Sequence, residues 1–386
     1  MTVETHIRIA DPVGRHLITI PSGFVLDYII NVAPGAIGVL ELTISPAVDP
    51  ALLYPDGQVR VMRSIDGNLA YLDNGAVYLI ETFEFTAQQT FIRAFHMNTL
   101  AARRYVLYGN GSTFANKAAT FADNLVKTYW KENVGASIDA SREGTQTQAD
   151  LSAYITVDAN LSLGASIAMA AANEPLVNVL QRICEASNTA GTYLTYEIIS
   201  DGSNGFFFKT YTTSRGLDRR YGTTNALILD ERRGNLAEAK VLLDYHNQIT
   251  AAVALGATAV TGSRYFGSAI DSLIALGPFH RIEGIINNSN VFTQSILDDN
   301  ADALVRNARP LISITGKLID TPQCTRGIHY DLGDMLSVRV PNGQTLLDVR
   351  LDLVHEHIDA TGSGSSQDLT SHQVAHRYAT GGLRSI

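Results

Sequence analysis

"FHMNTLAARRYVLYGNGSTFANK", residues 95–117, decides how the chain is divided, because the residue pattern changes across it. Before it, residues 17–95 hold short runs rich in β-branched and aromatic residues: HLITI, FVLDYIINV, GVLELTISP, QVRVMRS, VYLIETFEFT and TFIRAF. Turn signals separate them at Pro34-Gly35, Asp56-Gly57, Asp66-Gly67 and Asn74-Gly75. Strands at this spacing predict an antiparallel sandwich or barrel. After it the period lengthens. In NKAATFADNLVKTYWKENVG, Phe121, Leu125 and Tyr129 recur at i, i+4 and i+8, which predicts a helix capped by Asn116 and stopped at Gly135.

The same stretch raises a chemical question. A glycine loop that opens a helix gathers free backbone N–H groups at one spot, where a phosphate can sit. The spacing here fails both known patterns. Lys117 follows Asn116 and lies well past Ser112, and Phe114 stands where a dinucleotide loop needs its third glycine. The stretch therefore reads as the junction between a first β domain and an inserted unit, with Gly109 and Gly111 turning the chain. Leu100, Tyr105 and Leu107 would anchor the segment that carries Arg103 and Arg104, a pair expected to make a domain or subunit contact.

Further along, NEPLVNVLQRICEASNTAG predicts a second helix with Asn173 as cap, Leu176, Val179, Leu180 and Ile183 on one face, and Gly191 as its stop. The strands TYLTYEI and GFFFKTYT follow, the second reading as fully buried, and SREGTQTQADLS reads as a polar loop. From residue 226 the runs ALILDE, AEAKVLLDYHN, ITAAVAL and HRIEGII return to strands. SILDDNADALVRNARP interrupts them with a helix whose face is Leu297, Ala301, Leu304 and Ala308 and whose end is marked by Pro310. YDLGDMLSVRVPNGQTLLDVRLDLVHEHIDA alternates apolar and polar positions around Pro-Asn-Gly, as a hairpin does.

The expected organisation is mainly β with an α+β insertion. Residues 1–97 form a first β-barrel domain, completed by strands near 226–245, and 98–225 form the inserted helix-containing domain. Residues 226–361 form a second β-barrel domain with one helix near 295–309, and 362–386 form a flexible or extended tail. DGQVRV followed by VYLIETFEF (56–85) is echoed by GDMLSVRV followed by DVRLDLVHEHI (333–358), which suggests two related barrels.

Composition narrows the function. Charged residues are 17% of the chain, against about 25% in an average domain, so surface is expected to be hidden in partners or in further copies. The net charge of −9 comes with no Lys/Arg block, which argues against specific nucleic-acid binding. The longest apolar run, ITAAVALGATAV, is too short to span a bilayer, and MTVETHIRIADPVGRHLITI carries no secretion signal, so a soluble protein folded in a cytoplasm is expected. Cys184 and Cys324 form no metal or redox spacing, and Cys184 is expected as a buried thiol.

No active-site pattern is complete. In LVHEHI a strand would send Glu356 away from His355 and His357, leaving no three-ligand metal set. Asp298, Asp299 and Asp302 fall on the polar face and first turn of a helix, where acids complement its dipole. GSGSS at 362–366 is no nucleophile elbow, and the single tryptophan, Trp130, reads as packing. No catalytic, cofactor or metal residue is expected, and the chain is not expected to be an enzyme.

FIRAFHMNTLAARRYVLYGNGSTFANKAATFADNLVKTYWKENVG resembles tail-tip or baseplate-hub proteins of long-tailed, non-contractile phages, which carry an Arg-Arg segment, a Tyr-x-x-Gly-Ser loop and an Ala-Asp-Asn-Leu helix. The likeness continues through TYTTSRGLDRR, ERRGNLAEAK and GPFHRIEGI, and closes at YDLGDMLSV, similar to the Leu-Gly-Asp turn of hub barrels. It departs at AAVALGATAVTGSRYFGS, where the glycine spacing differs. The resemblance implies a tail-hub fold with two related small antiparallel barrels and an inserted domain. It implies a trimeric ring that closes the tail tube, with Asp334 joining the two arginines as a contact residue. The implied partners are further copies of the chain, the distal tail ring and tube, the tape measure protein, and fibre or receptor-binding proteins, with DNA only in passage. The implied place is the virion tail tip, assembled in the host cytoplasm. A tail-associated cell-wall hydrolase and a receptor- or glycan-binding tail module are the alternatives.

Overall fold

The computed structural model describes residues 3–65, 68–71, 75–109, 111–143, 150–212, 215–244, 246–258, 264–271, 279–289, 291–308, 311–339, 345–351, 353–358, 366–372 and 384–385. The fold is mainly β, with an α+β unit inserted between two β regions.

The first region holds β1 (Val3–Ala10), β2 (His16–Ile20), β3 (Val25–Val32), β4 (Val39–Ile44), β5 (Gln58–Ile65), β6 (Asn68–Tyr71), β7 (Tyr78–Phe85) and β8 (Thr90–His96). Every run read as a strand before residue 95 is one, and β1 is an additional strand that pairs with β5 along its whole length. β4 shows why: Leu40, Leu42 and Ile44 are buried on one face while Val39, Glu41 and Thr43 are half-exposed on the other.

The insertion holds α1 (Thr99–Ala102), β9 (Tyr105–Val106), β10 (Asn116–Phe121), α2 (Ala122–Asn133), β11 (Ile155–Val157), β12 (Ser166–Ala170), β13 (Glu174–Pro175), α3 (Leu176–Thr189), β14 (Thr195–Ser200) and β15 (Phe206–Tyr211). Asn116 is not a helix cap. Asn116–Phe121 extends instead and pairs with Ser166–Ala170, so the helix starts at Ala122, whose N–H donates to Ala165 O. Asn173 does not cap α3 either; it sits at φ 55° two residues before the helix's N-terminal flank at Pro175. The face Leu176, Val179, Leu180 and Ile183 is buried as the period requires. β15 is half-buried rather than fully buried, because only Phe206 and Phe208 turn inward. Trp130 stacks on Phe208 with ring centroids 4.4 Å apart, and Tyr196 stacks on the same ring at 5.6 Å.

The last region holds β16 (Ile228–Leu229), β17 (Leu236–Asp244), β18 (Ala251–Thr258), β19 (Arg264–Ile270), β20 (Glu283–Asn287), α4 (Gln294–Asn307), β21 (Leu311–Leu318), β22 (Met335–Arg339), β23 (Thr345–Arg350), β24 (Leu353–Ile358), β25 (Ser366–His372) and β26 (Arg384–Ser385). α4 buries Leu297, Ala301 and Val305 against β18 and β19. The Pro-Asn-Gly turn, Pro310 and most of the segment expected as a tail lie outside the described residues, although Ser366–His372 is a strand within that segment.

Strand order exposes an internal repeat. The main sheet runs β17-β21-β25-β24 and continues as β3-β4-β8-β7, every pair antiparallel. The second set of four reproduces the first. β3, β4, β8 and β7 correspond to β17, β21, β25 and β24, and β5 corresponds to β22. Both β3 and β17 carry an irregularity near their start, at Val25/Asp27 and at Ala237/Lys240. One core serves both repeats, with Ile30, Leu40 and Ile92 in the same cluster as Ile314, Leu318 and Val349.

The insertion has a separate core around Trp130, Leu180, Tyr196 and Phe208, which takes in Val77, Leu79 and Met97 from the first repeat. Trp130→Ala removes the ring stacked on Phe208 and is expected to cost about 3–5 kcal/mol, read as a lowered urea midpoint by far-UV circular dichroism. A loss below about 1 kcal/mol would mean that the stack does not support the insertion.

Candidate functional site

The two repeats each turn into their central strand through the same backbone construction. In the first, Asp56 N–H donates to Ile80 O, Ile80 N–H to Gly57 O and Gly57 N–H to Tyr54 O, each at 2.9 Å. In the second, Gly333 N–H donates to Leu351 O at 2.8 Å, Leu351 N–H to Asp334 O at 2.9 Å and Asp334 N–H to Asp331 O at 3.1 Å. Asp56 and Gly333 occupy matching positions, and both have positive φ, 59° and 88°. Aspartate tolerates this left-handed region better than most residues, and glycine adopts it without strain. The strands then pair in matching register, Gln58 with Leu79 and Val59 with Tyr78, against Met335 with Arg350 and Leu336 with Val349.

An arginine from the insertion grips each turn. Arg103, in the segment that leads into the insertion, donates to Asp56 Oδ1 at 2.6 Å and to Glu81 Oε1 at 2.8 Å. Arg219, in the segment that leads out of it, donates from Nε to Asp334 Oδ2 at 2.8 Å. Asp334 is 3% exposed, and its carboxylate also accepts the N–H groups of Leu217 at 2.6 Å and Asp331 at 3.0 Å. A Cβ at Gly216 would collide with that carboxylate, so the chain passes this point only as glycine.

Between the two grips lies a buried charge cluster with no signal in the sequence. Arg215 makes a fork contact to Glu197, Nε to Oε2 at 2.6 Å and Nη2 to Oε1 at 3.0 Å, and its Nη1 donates to Leu332 O at 2.7 Å. His96 Nε2 lies 3.8 Å from Glu197 Oε1, while its Nδ1 accepts the Asn98 N–H at 3.3 Å, a contact that places the neutral ring's proton on Nε2. Asn98 bridges the first repeat and the insertion, donating to Ala36 O and accepting from Ile198 N–H, each at 2.9 Å.

Arg104 is placed differently from Arg103. It is half-buried and has no carboxylate partner among the described residues, and burial and then the neighbouring guanidiniums of Arg142 and Arg103 lower its pKa. The glycine loop is no phosphate cradle, since a strand and not a helix follows it. The described residues hold no group of three or more His, Cys, Asp or Glu able to bind a metal, and the side chains of His355, Glu356 and His357 lie outside them. Burial pushes the Cys324 thiol up to about 12 and raises that of Cys184 further, so neither is an active nucleophile. A cleft of about 370 Å³ lies where the parts meet, lined by Pro34, Gly35, Glu185, Tyr193 and Arg350, with the Arg350 guanidinium 4.2 Å over the Tyr193 ring.

No family model matches the chain and no curated protein matches it. Solved structures do. A tail protein from Neisseria meningitidis MC58 superposes with a TM-score of 0.59 at 12% identity, covering 97% of this chain and 99% of that one. The prophage MuSo2 43 kDa tail protein of Shewanella oneidensis superposes with a TM-score of 0.57 at 13% identity, again over 97% and 99%. A chain of the Francisella PdpA-VgrG complex gives 0.56 at 11% identity, covering 100% of this chain and 55% of that one. The chain has the phage tail-protein fold.

The contrast between the buried cluster and the exposed clamp is measurable. Glu197→Ala leaves Arg215 buried without its counter-charge and is expected to cost about 3–5 kcal/mol. Arg103→Ala removes a pair in contact with solvent and is expected to cost no more than about 1 kcal/mol. Equal losses in urea denaturation of the two variants would contradict this ranking.

Proposed function

We propose that the chain is a structural component of a phage tail tip, a hub whose copies close into a ring at the end of the tail tube. The observation that carries this reading is the repeat, because it leaves two matching open edges. Among the described residues β17 has a neighbour only at β21, and Thr82–Phe85 of β7 has one only at β8. Inside the chain, the strand equivalent to β7, which is β24, pairs with the strand equivalent to β17, which is β3. The same pairing between copies, β7 of one with β17 of the next, extends the sheet head to tail until it closes.

The edges fit that use. Phe85 and Leu242 are 43% and 46% exposed, large apolar side chains on strands that otherwise end in water. Three copies would present six similar repeats to a six-fold tube, as the likeness to tail-hub proteins implies. The distal tail ring, the tape measure protein and fibre or receptor-binding proteins are its partners in this reading, and DNA only passes through. The role is structural rather than enzymatic. It belongs to the virion, with assembly in the host cytoplasm.

The purified chain is expected to show three times its 41.7 kDa mass in light scattering. Phe85→Lys and Leu242→Lys, each at an exposed edge position, are expected to leave the monomer folded and to shift the mass toward one copy. A wild-type chain that stays monomeric at high concentration, and that also fails to assemble on tail tubes, would overturn the reading.

A further inference from the structure

The repeat fixes which residues meet at the junction between copies, and this step rests on the ring reading above. Ile80 and Leu351 hold matching places in the two turns, and Phe83 faces Ile92 in β8 as Val354 faces Leu369 in β25, so Phe85 corresponds to Glu356. β3 and β17 are matched through their partners. Ile30 faces Leu40 in β4, Val241 faces Ile314 in β21, and both partner strands stand in the same relation to β8 and β25. Within the chain Glu356 pairs with Ile30. Transferred to two copies, Phe85 pairs with Val241 and Glu84 with Leu242.

Both open edges end where this register needs them to. Asp56 and Gly57 already hold the backbone of Ile80, so an incoming strand can pair with β7 only beyond that fork. β17 is irregular between Ala237 and Lys240, with Glu238 at φ 53°, and pairs regularly with β21 from Lys240 to its last residue, Asp244. The register sets the end of β17 against Thr82, just past the fork, and leaves the irregularity beyond Phe85, where β7 ends. A slip of two residues one way would drive the end of β17 onto the occupied Ile80. The same slip the other way would set Val241 against the turn in which Thr86 N–H donates to Gln89 O.

The two faces of the junction differ in chemistry. Phe83 at one edge and Ala239 and Val241 at the other pack half-buried against the shared core, so joining the edges continues that core from copy to copy. On the outward face each edge carries an ion pair and one charge besides. Arg93 Nε lies 3.4 Å from Glu41 Oε1, and Glu84 beside them is exposed. Lys317 Nζ donates to Glu238 Oε1 at 2.7 Å, and Lys240 beside them is exposed. Neither Glu84 nor Lys240 has an oppositely charged partner among the described residues. The register makes them diagonal neighbours on one face, a spacing that long side chains bridge.

We infer that Glu84 of one copy and Lys240 of the next form an ion pair across the ring junction, which selects the register on the outward face while Phe85 and Val241 close the inward one. The pair also sets direction. Two β7 edges would bring Glu84 toward Glu84 and two β17 edges Lys240 toward Lys240, so like edges repel and the head-to-tail pairing that closes a ring is favoured. Fixing register matters at an open edge, because a slip of one residue would turn Phe85 and Val241 from the core side to water.

Charge exchange tests the pair. Glu84→Lys alone and Lys240→Glu alone are each expected to weaken trimer association of the full chain by about tenfold at low ionic strength, since the contact recurs at every junction. Sedimentation equilibrium reads this, and thermal melts confirm that each monomer is folded. The loss is expected to shrink as salt is added. The combined variant Glu84→Lys, Lys240→Glu is expected to recover most of the wild-type association. Single changes without effect, in a chain whose ring is still disrupted by Phe85→Lys, would overturn the pair and leave the ring reading standing. Weakening by both singles without recovery in the double would also overturn it. A wild-type chain that never associates would overturn this inference together with the ring.

Discussion

Arg215 is the side chain on which the arrangement of the whole chain depends. It carries a charge into the interior, where the Glu197 carboxylate of the insertion and the Leu332 carbonyl of the second repeat both receive it. His96 of the first repeat closes the other side of Glu197. Three stretches far apart in sequence are thus held at one point by a charge that has nowhere else to go. If any one of them moved away, a buried ion would be left without its partner. The insertion is for this reason a fixed third part of the body rather than a loop hung on the sheet.

The repeat explains where the insertion sits. Each half of the chain makes the same turn into its central strand, with a residue at positive φ and the same ladder of backbone bonds. The segments leading into and out of the insertion use those two turns as their docking points, Arg103 on one and Arg219 on the other. The chemistry differs between them. Asp334 is buried and takes several donors, whereas Asp56 and Glu81 stay in contact with solvent. The second turn is sealed inside the chain, and the first stands beside the open edge of β7.

Much of this was legible in the sequence, and the exceptions share a cause. Strand runs such as VLELTI declared themselves by alternation, and the echo between DGQVRV and GDMLSVRV marks turns that carry the same hydrogen bonds. The Arg103–Arg104 pair and Asp334 stood out by residue type, although nothing local showed that Arg103 would reach back to Asp56 while Arg219 met Asp334. Asn116 misled because its neighbours have helical spacing, while pairing with β12 outweighed the local preference. That His96, Glu197 and Arg215 would form a cluster was not legible, even though His96 and Arg215 fall in stretches that carry the resemblance. Each is an ordinary residue in its own segment, and the cluster exists only through tertiary contact.

The central claim is that two open edges of one repeated sheet are complementary and meet in the register of the β24–β3 junction. Opposed residues on neighbouring strands lie about 4.5–5.5 Å apart, within the span of a disulfide. The native cysteines are both buried and do not compete. A chain carrying Phe85→Cys and Val241→Cys should, on mild oxidation, form covalent dimers and closed trimers. A control carrying Phe85→Cys and Leu242→Cys should not. Efficient linkage in the control, or none in either chain while the ring is intact, would contradict the register and with it the account of how this hub closes.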